Sequence, residues 1–214
     1  MGLKVDMKED LIQYWRKSKI ITDSKLIDAF RDTPREKFVL EEDIDDAYDD
    51  YPKTIGFDQT ISQPTTVMIM IQALELKNTD KVLEVGSGSG YCAAIMSRLS
   101  HKIITFEIIP ELMEFAQYNL KKDNITNVEI IKGDGTLGYD KEEPYDKIII
   151  TAASPHLPQP LIDQLKEGGI MVAPVGGSFG QKMIKGVKKG NKLVLESMGY
   201  FTFVPLKGKY GYSE

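Results

Sequence analysis

Three acids and a run of glycines in this chain have the types and spacing to hold a small charged ligand. The segment Glu84-Val85-Gly86-Ser87-Gly88-Ser89-Gly90 follows a short apolar run and precedes a helical one. Glycines there let the chain turn sharply and let a ligand touch the main chain. A dinucleotide fingerprint would put its third glycine at position 91, but that residue is Tyr91, and the third glycine is Gly90. Glu84 precedes the first glycine by two residues; a carboxylate there is a poor neighbour for a pyrophosphate and a good one for an ammonium. Glu107 stands 21 residues after Gly86, at the end of the next apolar run, with Ile108 beside it. A carboxylate so placed can accept from both hydroxyls of a ribose. Asp134, within Gly133-Asp134-Gly135, follows the third run and is placed to accept from an adenine amino group, with the Gly135 backbone nearby. Each acid alone could be a cap or a surface charge. Together, in order at three strand ends, they point to a nucleoside that also carries an ammonium, as S-adenosylmethionine does.

The elements needed to position these residues are legible in the pattern. Leu11, Ile12 and Trp15 repeat at helical spacing, and a second helix is predicted from Asp23-Ser24 to Thr33-Pro34, burying Leu26, Ile27 and Phe30. Thr65 to Leu76 reads as a helix with Pro64 near its first turn. From Asp80 onward, strands at 81–85, 102–106, 128–131, 146–151 and 170–173 alternate with helices at 91–99, 110–122 and 161–166, the last closing at Gly168-Gly169. Strand–helix alternation predicts a Rossmann-like, doubly wound α/β fold with a mostly parallel sheet. Gln181 to Lys188 and Lys192 to Phe203, joined by Lys189-Gly190-Asn191, predict a C-terminal antiparallel hairpin whose place in the sheet order is left open. A single domain over residues 1–214 is expected, with an N-terminal helical and substrate-site segment, 1–79, packed on a cofactor-binding core, 80–214.

Composition narrows the partners. A hydrophobic fraction of 42% suffices for a substantial core, yet no run approaches the roughly 18 apolar residues of a membrane span. No apolar stretch of signal-peptide length stands at the N-terminus, and Asp6 occupies the place where a myristoylation signal has Ser or Thr. A net charge of −5 argues against a nucleic-acid footprint. Cys92 is the only cysteine, and His101 and His156 stand 55 positions apart, so neither a disulfide nor a metal site is expected. A reducing, cytoplasmic setting and a monomer follow as expectations. The acidic block from Glu41 to Asp50 reads as a solvated loop, Cys92 as a small buried hydrophobe and His156 as an ordinary loop histidine.

The glycine loop and the two following acids resemble the class I methyltransferases over roughly residues 80 to 175. That resemblance implies S-adenosylmethionine as cofactor and S-adenosylhomocysteine as product, held by Glu84, Gly86, Ser87, Gly88, Gly90, Glu107, Ile108, Asp134 and Gly135. The loop after the fourth strand, Thr151-Ala152-Ala153-Ser154-Pro155-His156, lacks the Asn/Asp-Pro-Pro-aromatic pattern of amino-methylating nucleic-acid enzymes, and no Pro-Cys nucleophile is present. Upstream, the run from Thr54 to Pro64, with Thr33 to Val39 and Phe203-Val204-Pro205-Leu206, is similar to the protein-L-isoaspartate O-methyltransferases. This resemblance spans about Leu26 to Leu206 and turns on Thr60-Ile61-Ser62. It implies that Ser62 is the catalytic-site hydroxyl between methyl group and substrate carboxylate. It also implies that Phe57, Asp58 and Thr60 lie against the cofactor, and that Ile61, Ser62, Gln63, Val204, Pro205 and Leu206 hold the peptide. Many relatives have His soon after this motif, whereas this chain has Gln63-Pro64-Thr65.

The implied substrate is the free carboxylate of L-isoaspartyl, and possibly D-aspartyl, residues in damaged proteins and peptides. Such a carboxylate has a pKa near ~4 and is already a nucleophile at neutral pH, so no general base is required. The rival readings are a methyltransferase acting on tRNA or a small molecule, a nicotinamide oxidoreductase disfavoured by the glycine spacing, and a non-catalytic module on the same fold.

Overall fold

The computed structural model describes residues 2–177 and 180–212, and side chains from residue 7 onward. Its central feature is a seven-stranded sheet of order β5-β4-β3-β6-β7-β8-β9. The strands are β3 (Lys81–Val85), β4 (Lys102–Glu107), β5 (Val128–Lys132), β6 (Tyr145–Ile150), β7 (Leu165–Gly177), β8 (Gly180–Lys189) and β9 (Lys192–Phe201). The first five run parallel, while β8 and β9 are antiparallel additions at one edge. The order therefore resolves the place of the C-terminal hairpin: β8 pairs with β7, and β9 is the edge. A separate two-stranded hairpin, β1 (Lys53–Gly56) and β2 (Gln59–Ile61), precedes the core.

Strand period explains why the sheet is apolar on both faces. Val82, Ile103, Ile149 and Val172 point to one face, where they meet helices α1 (Gly2–Ser18), α2 (Ser24–Asp32), α3 (Pro64–Leu74), α4 (Tyr91–Ser97) and α5 (Pro110–Lys122). Their neighbours Leu83, Ile104, Ile148 and Met171 point to the other, toward Leu161 of α6 (Gln159–Gln164) and Leu206. The Ile148-Ile149-Ile150 run is fully buried, as a parallel strand covered on both sides requires. Residues 11 to 74 share one apolar cluster with the sheet, so the N-terminal segment is packed on the core. No helix among the described residues is long and apolar enough to cross a membrane.

Local signals set the helix ends. Asp23 caps α2 by accepting from the amides of Lys25 and Leu26. Pro64 occupies the first turn of α3, which stops at Glu75 in a left-handed conformation, two residues short of the expected end. Trp15 Nε1 donates to Thr65 Oγ1 at 2.6 Å and ties α1 to the start of α3.

Two expectations are corrected. The pair Gly168-Gly169 does not close a helix: α6 ends at Gln164, and the glycines form a bulge inside β7, between the pairings Tyr145–Leu165 and Lys147–Ile170. The acidic block is not simply solvated. Ala47 and Tyr48 are buried, Asp43 and Asp49 pair with the buried Lys53, and Asp50 accepts from the Thr65 amide and hydroxyl at 2.9 and 2.7 Å. Asp50 thereby supplies both a cap and a negative charge at the amino end of α3.

Candidate active site

At the carboxyl ends of β3, β4 and β6, where the strand order reverses, a solvent-open cleft encloses about 890 Å³ of atom-free space. Its floor is the glycine loop between β3 and α4. Gly86, Gly88 and Gly90 have φ of 99°, 52° and 85°, in the region that side chains rarely adopt. A Cβ on Gly86 would lie 2.6 Å from Thr151 Oγ1, which itself donates to Gly86 O. The Thr151 side chain thus packs so closely on the loop that Gly86 has no room for a larger residue. The amides of Gly86 and Ser87 both donate to Phe106 O and fasten the loop to β4.

Glu107 ends β4, is 6% exposed and lines the cleft. Its carboxylate accepts from the amides of Gly88, Ile108 and Ile109 at 2.9 to 3.0 Å. Ser87 Oγ makes a fourth, long contact at 3.5 Å, and among the roughly four acceptor sites of two carboxylate oxygens this is the one a ligand hydroxyl can take over. Ile108 lies beside it at the mouth, with Phe106, Leu112, Gly133 and Gly135 forming an apolar wall suited to a flat ring. Gly135 is obligatory there, since a Cβ would meet Phe106 and Val85 within 3 Å.

The opposite wall is built from both ends of the chain. Gln59, Thr60, Ile61 and Ser62 of the β1–β2 hairpin face Val204, Pro205, Leu206 and Lys207. The hairpin leans on the glycine loop, for the Ile55 side chain lies 3.3 Å from where a Cβ on Gly88 would stand. The 204–206 segment pairs with the loop after β6: Ala153 N donates to Val204 O and Leu206 N to Ala153 O, each at 2.8 Å. Ser62 is half-buried, and its hydroxyl has no hydrogen-bond partner among the described residues. Ser62 O accepts from Arg35 Nη2 at 2.8 Å.

Six expected site residues lie outside this lining. Phe57 and Asp58 form the hairpin turn, with φ of 55° and 57°, which carries them beyond the lip; Phe57 is 53% exposed. Gln63 turns toward α3 and accepts from Thr66 Oγ1. Gly90 packs against Ala116 and Leu120 of α5. Asp134 caps the following turn through Thr136, and its other oxygen accepts from the Lys209 amide, so its carboxylate pins the C-terminal segment. Glu84 lies beneath the loop, fully buried on the apolar face of α3 and α4, opposite Thr105 in the β3–β4 register. Neither of its oxygens has a hydrogen bond of good geometry. Burial raises its pKa to about 7, against the weaker opposing influence of its polar neighbours Thr105 and Cys92.

The structure also brings in residues the sequence did not single out. Val67 and Met70 of α3 and Tyr91 and Cys92 of α4 line the cleft, together with Thr151 and Ala152. Cys92, expected as a small buried hydrophobe, is half-buried and packs against the apolar cluster while also lining the cleft; burial, followed by the Glu84 carboxylate, pushes its thiol pKa up, away from nucleophilic use. His156 is outside the lining, its ring 6.4 Å from that of Tyr210. Among the described residues no cluster of His, Cys, Asp and Glu could hold a metal.

The residues present fit S-adenosylmethionine. Main-chain glycines leave room for the ligand's approach, Glu107 offers hydroxyl acceptance, the apolar wall suits adenine, and an orphaned carboxylate beneath the loop suits a cation. Comparisons with known proteins point the same way. The family model of protein-L-isoaspartate (D-aspartate) O-methyltransferases matches residues 6–211. A protein-L-isoaspartate O-methyltransferase of Methanoculleus marisnigri is 42% identical over 205 residues, 96% of this chain and 93% of its own. That of Dictyoglomus turgidum is 46% identical over 198 residues, covering 92% and 90%. Among solved structures, one from Plasmodium falciparum assigned to the same activity, in complex with S-adenosyl-L-homocysteine, aligns with a TM-score of 0.83 at 25% identity, over 97% of this chain and 99% of that one. With the cleft, its glycine loop and nearly the whole length in agreement, this chain belongs to the protein-L-isoaspartate (D-aspartate) O-methyltransferase family.

Proposed function

We propose that this cleft transfers a methyl group from S-adenosylmethionine to the free carboxylate of L-isoaspartyl residues, with Ser62 as the hydroxyl that orients the acceptor. When bound, S-adenosylmethionine supplies an electrophilic methyl group on a sulfonium. Gly86, Ser87, Gly88, Glu107, Ile108 and Gly135 hold it, and Glu84 acts from beneath the loop through its charge. The carboxylate needs no deprotonation at neutral pH, which fits a lining without histidine. What the protein contributes is placement, and orientation alone can remove roughly 7 kcal/mol or more of a barrier. Ser62 donates to the oxygen that does not attack and fixes the other in line. Thr60 lies against the cofactor, and Ile61 and the Val204-Pro205-Leu206 segment hold the peptide main chain.

The observation that carries this reading is the Ser62 hydroxyl, without a hydrogen-bond partner among the described residues, at the meeting of the hairpin and the 204–206 segment on the rim of the glycine-loop cleft. The methyl ester is a better electrophile than the carboxylate. The neighbouring main-chain amide nitrogen attacks its carbonyl, methanol leaves, and the succinimide that forms takes up water and opens partly to normal aspartate, so the outcome is repair. We place the reaction in the cytoplasm, on polypeptides rather than nucleic acid, by a monomer whose 1–79 segment forms the substrate side of the 80–214 core. The test is to follow an isoaspartyl peptide with S-adenosylmethionine by chromatography and mass spectrometry. Ester, succinimide and then aspartyl peptide should appear in that order; a peptide that stays isoaspartyl contradicts the reading.

A further inference from the structure

We propose that Arg35 is a positioning residue for methyl transfer, clamping the main chain at Ser62 to the helix that floors the cofactor cleft. This rests on the assignment of Ser62 as the orienting hydroxyl.

Arg35 is fully buried, which is rare for a guanidinium. It opens the 3-10 turn Arg35–Lys37 that follows Pro34. Three contacts fix its plane. Nη2 donates to Ser62 O at 2.8 Å, and Nε donates to Ala47 O at 2.7 Å. The guanidinium carbon lies 4.8 Å from the centre of the Tyr91 ring, in cation–π range. Its own amide is held by Tyr48 Oη at 3.1 Å, and Tyr48 Oη in turn donates to Glu36 at 2.6 Å. Arg35 therefore touches, with one rigid fork, the residue just after β2 and the residue that opens α4 beside the glycine loop. Both Ser62 and Tyr91 line the cleft, whereas Arg35 itself does not.

Fold stability alone accounts poorly for this arrangement. Among the described residues Arg35 forms no ion pair, and its Nη1 has no hydrogen-bond partner. A buried charge without a paired carboxylate is expensive even with the electrostatic support of Tyr91, Tyr48 and Asp50, and a well-packed apolar residue of similar volume is often as stabilising or more so. What an apolar residue cannot do is hold a carbonyl, a second carbonyl and a ring at fixed distances. Lysine, a point charge on a flexible stem, does this less well than the planar fork. Transfer demands that the acceptor oxygen and the methyl group be aligned, and a misplacement of about 1 Å can cost a hundredfold in rate. Arg35 sits where it would set the distance between the two sides of that alignment.

The test is a double-mutant cycle in the full chain, using Arg35→Met, Arg35→Lys and Ser62→Ala. Kinetics on an isoaspartyl peptide, S-adenosylhomocysteine affinity by calorimetry and Tm are measured for each. Arg35→Met should lower kcat by about tenfold to a hundredfold while S-adenosylhomocysteine Kd stays within about threefold. Arg35→Lys should restore part of the loss, and it decides the question alone if Arg35→Met does not fold. In the Ser62→Ala background either substitution should cost less than about threefold further, because the hydroxyl it positions is gone. The proposal is overturned if the folded Arg35 variants keep kcat within about twofold of the parent, if their losses are equal in both backgrounds, or if cofactor affinity falls in step with kcat. An unchanged rate in Ser62→Ala alone is a separate result: it removes the Ser62 assignment and with it the basis of the clamp.

Discussion

The floor of the cleft and its rim are built in different ways. The floor comes from consecutive strand ends of one parallel sheet, and each of its key groups lies within a few residues of a strand terminus: Gly86 after β3, Glu107 at the end of β4, Gly135 after β5 and Thr151 after β6. The rim joins a hairpin at residues 53–61 to a segment at 204–206, more than 140 positions away, and both are held by contacts outside the cleft. The floor is therefore fixed by backbone geometry, and the rim by side-chain and long-range main-chain bonds. Substitutions should separate the two: floor changes should strike cofactor binding or stability, and rim changes turnover.

The largest effect is expected at Gly86. Gly86→Ala places a Cβ 2.6 Å from Thr151 Oγ1 at a φ of 99°. Backbone strain of order 1–3 kcal/mol and the clash together should weaken S-adenosylhomocysteine binding about a hundredfold or more, measured by calorimetry. A loss confined to peptide KM would break the division between floor and rim.

Next comes Glu84, whose carboxylate, with Cys92 and Glu107 as its ionisable neighbours, is buried and raised to about 7. The unfolded chain loses this proton near pH 4.5, and the folded chain keeps it until about 7. Between those values the native state binds more protons, so stability falls as pH rises, and above about 7 the whole penalty is present. At 1.36 kcal/mol per unit the penalty is about 3 kcal/mol. Glu84→Gln should therefore raise Tm in the absence of cofactor at pH 8, with the gain shrinking toward pH 5. A gain equal at both pH values would contradict the buried, ionising carboxylate.

At the rim, Ser62→Ala should lower kcat about tenfold or more, equivalent to some 1.4 kcal/mol, and leave S-adenosylhomocysteine affinity unchanged. The smallest effect is expected from Asp50→Ala. It removes the cap on Thr65 and should cost about 1 kcal/mol of stability, seen as a lower midpoint in urea with the m-value unchanged.

The same contrast explains what was legible in the sequence. Floor residues are read from spacing, because a parallel strand followed by a glycine turn leaves little freedom in where its last residues go. Gly86, Glu107 and Gly135 all line the cleft at or just after strand ends. Asp134 and Glu84 show the limit: the turn after β5 aims one side chain at the C-terminal segment, and alternation within β3 sends the other to the interior. The rim was legible only by resemblance. Nothing local in Thr54 to Pro64 announces a hairpin with Phe57 and Asp58 both left-handed, so the place of its tip outside the cleft lining was not legible. Arg35 lies within the fragment Thr33 to Val39 and carries no signal of its own, since a guanidinium that folding buries looks in sequence like any surface cation. Gly168-Gly169 reads equally as a helix stop or a strand bulge, and the pairing of Tyr145 with Leu165 settles it.

The most direct test of the account is labelled methyl transfer from S-adenosylmethionine to two peptides that differ only in one isoaspartyl or aspartyl residue. Base-labile label on the isoaspartyl peptide alone is the predicted result. Equal labelling of both, or label on neither while S-adenosylhomocysteine still binds, would contradict the assigned substrate and leave only the cofactor floor standing.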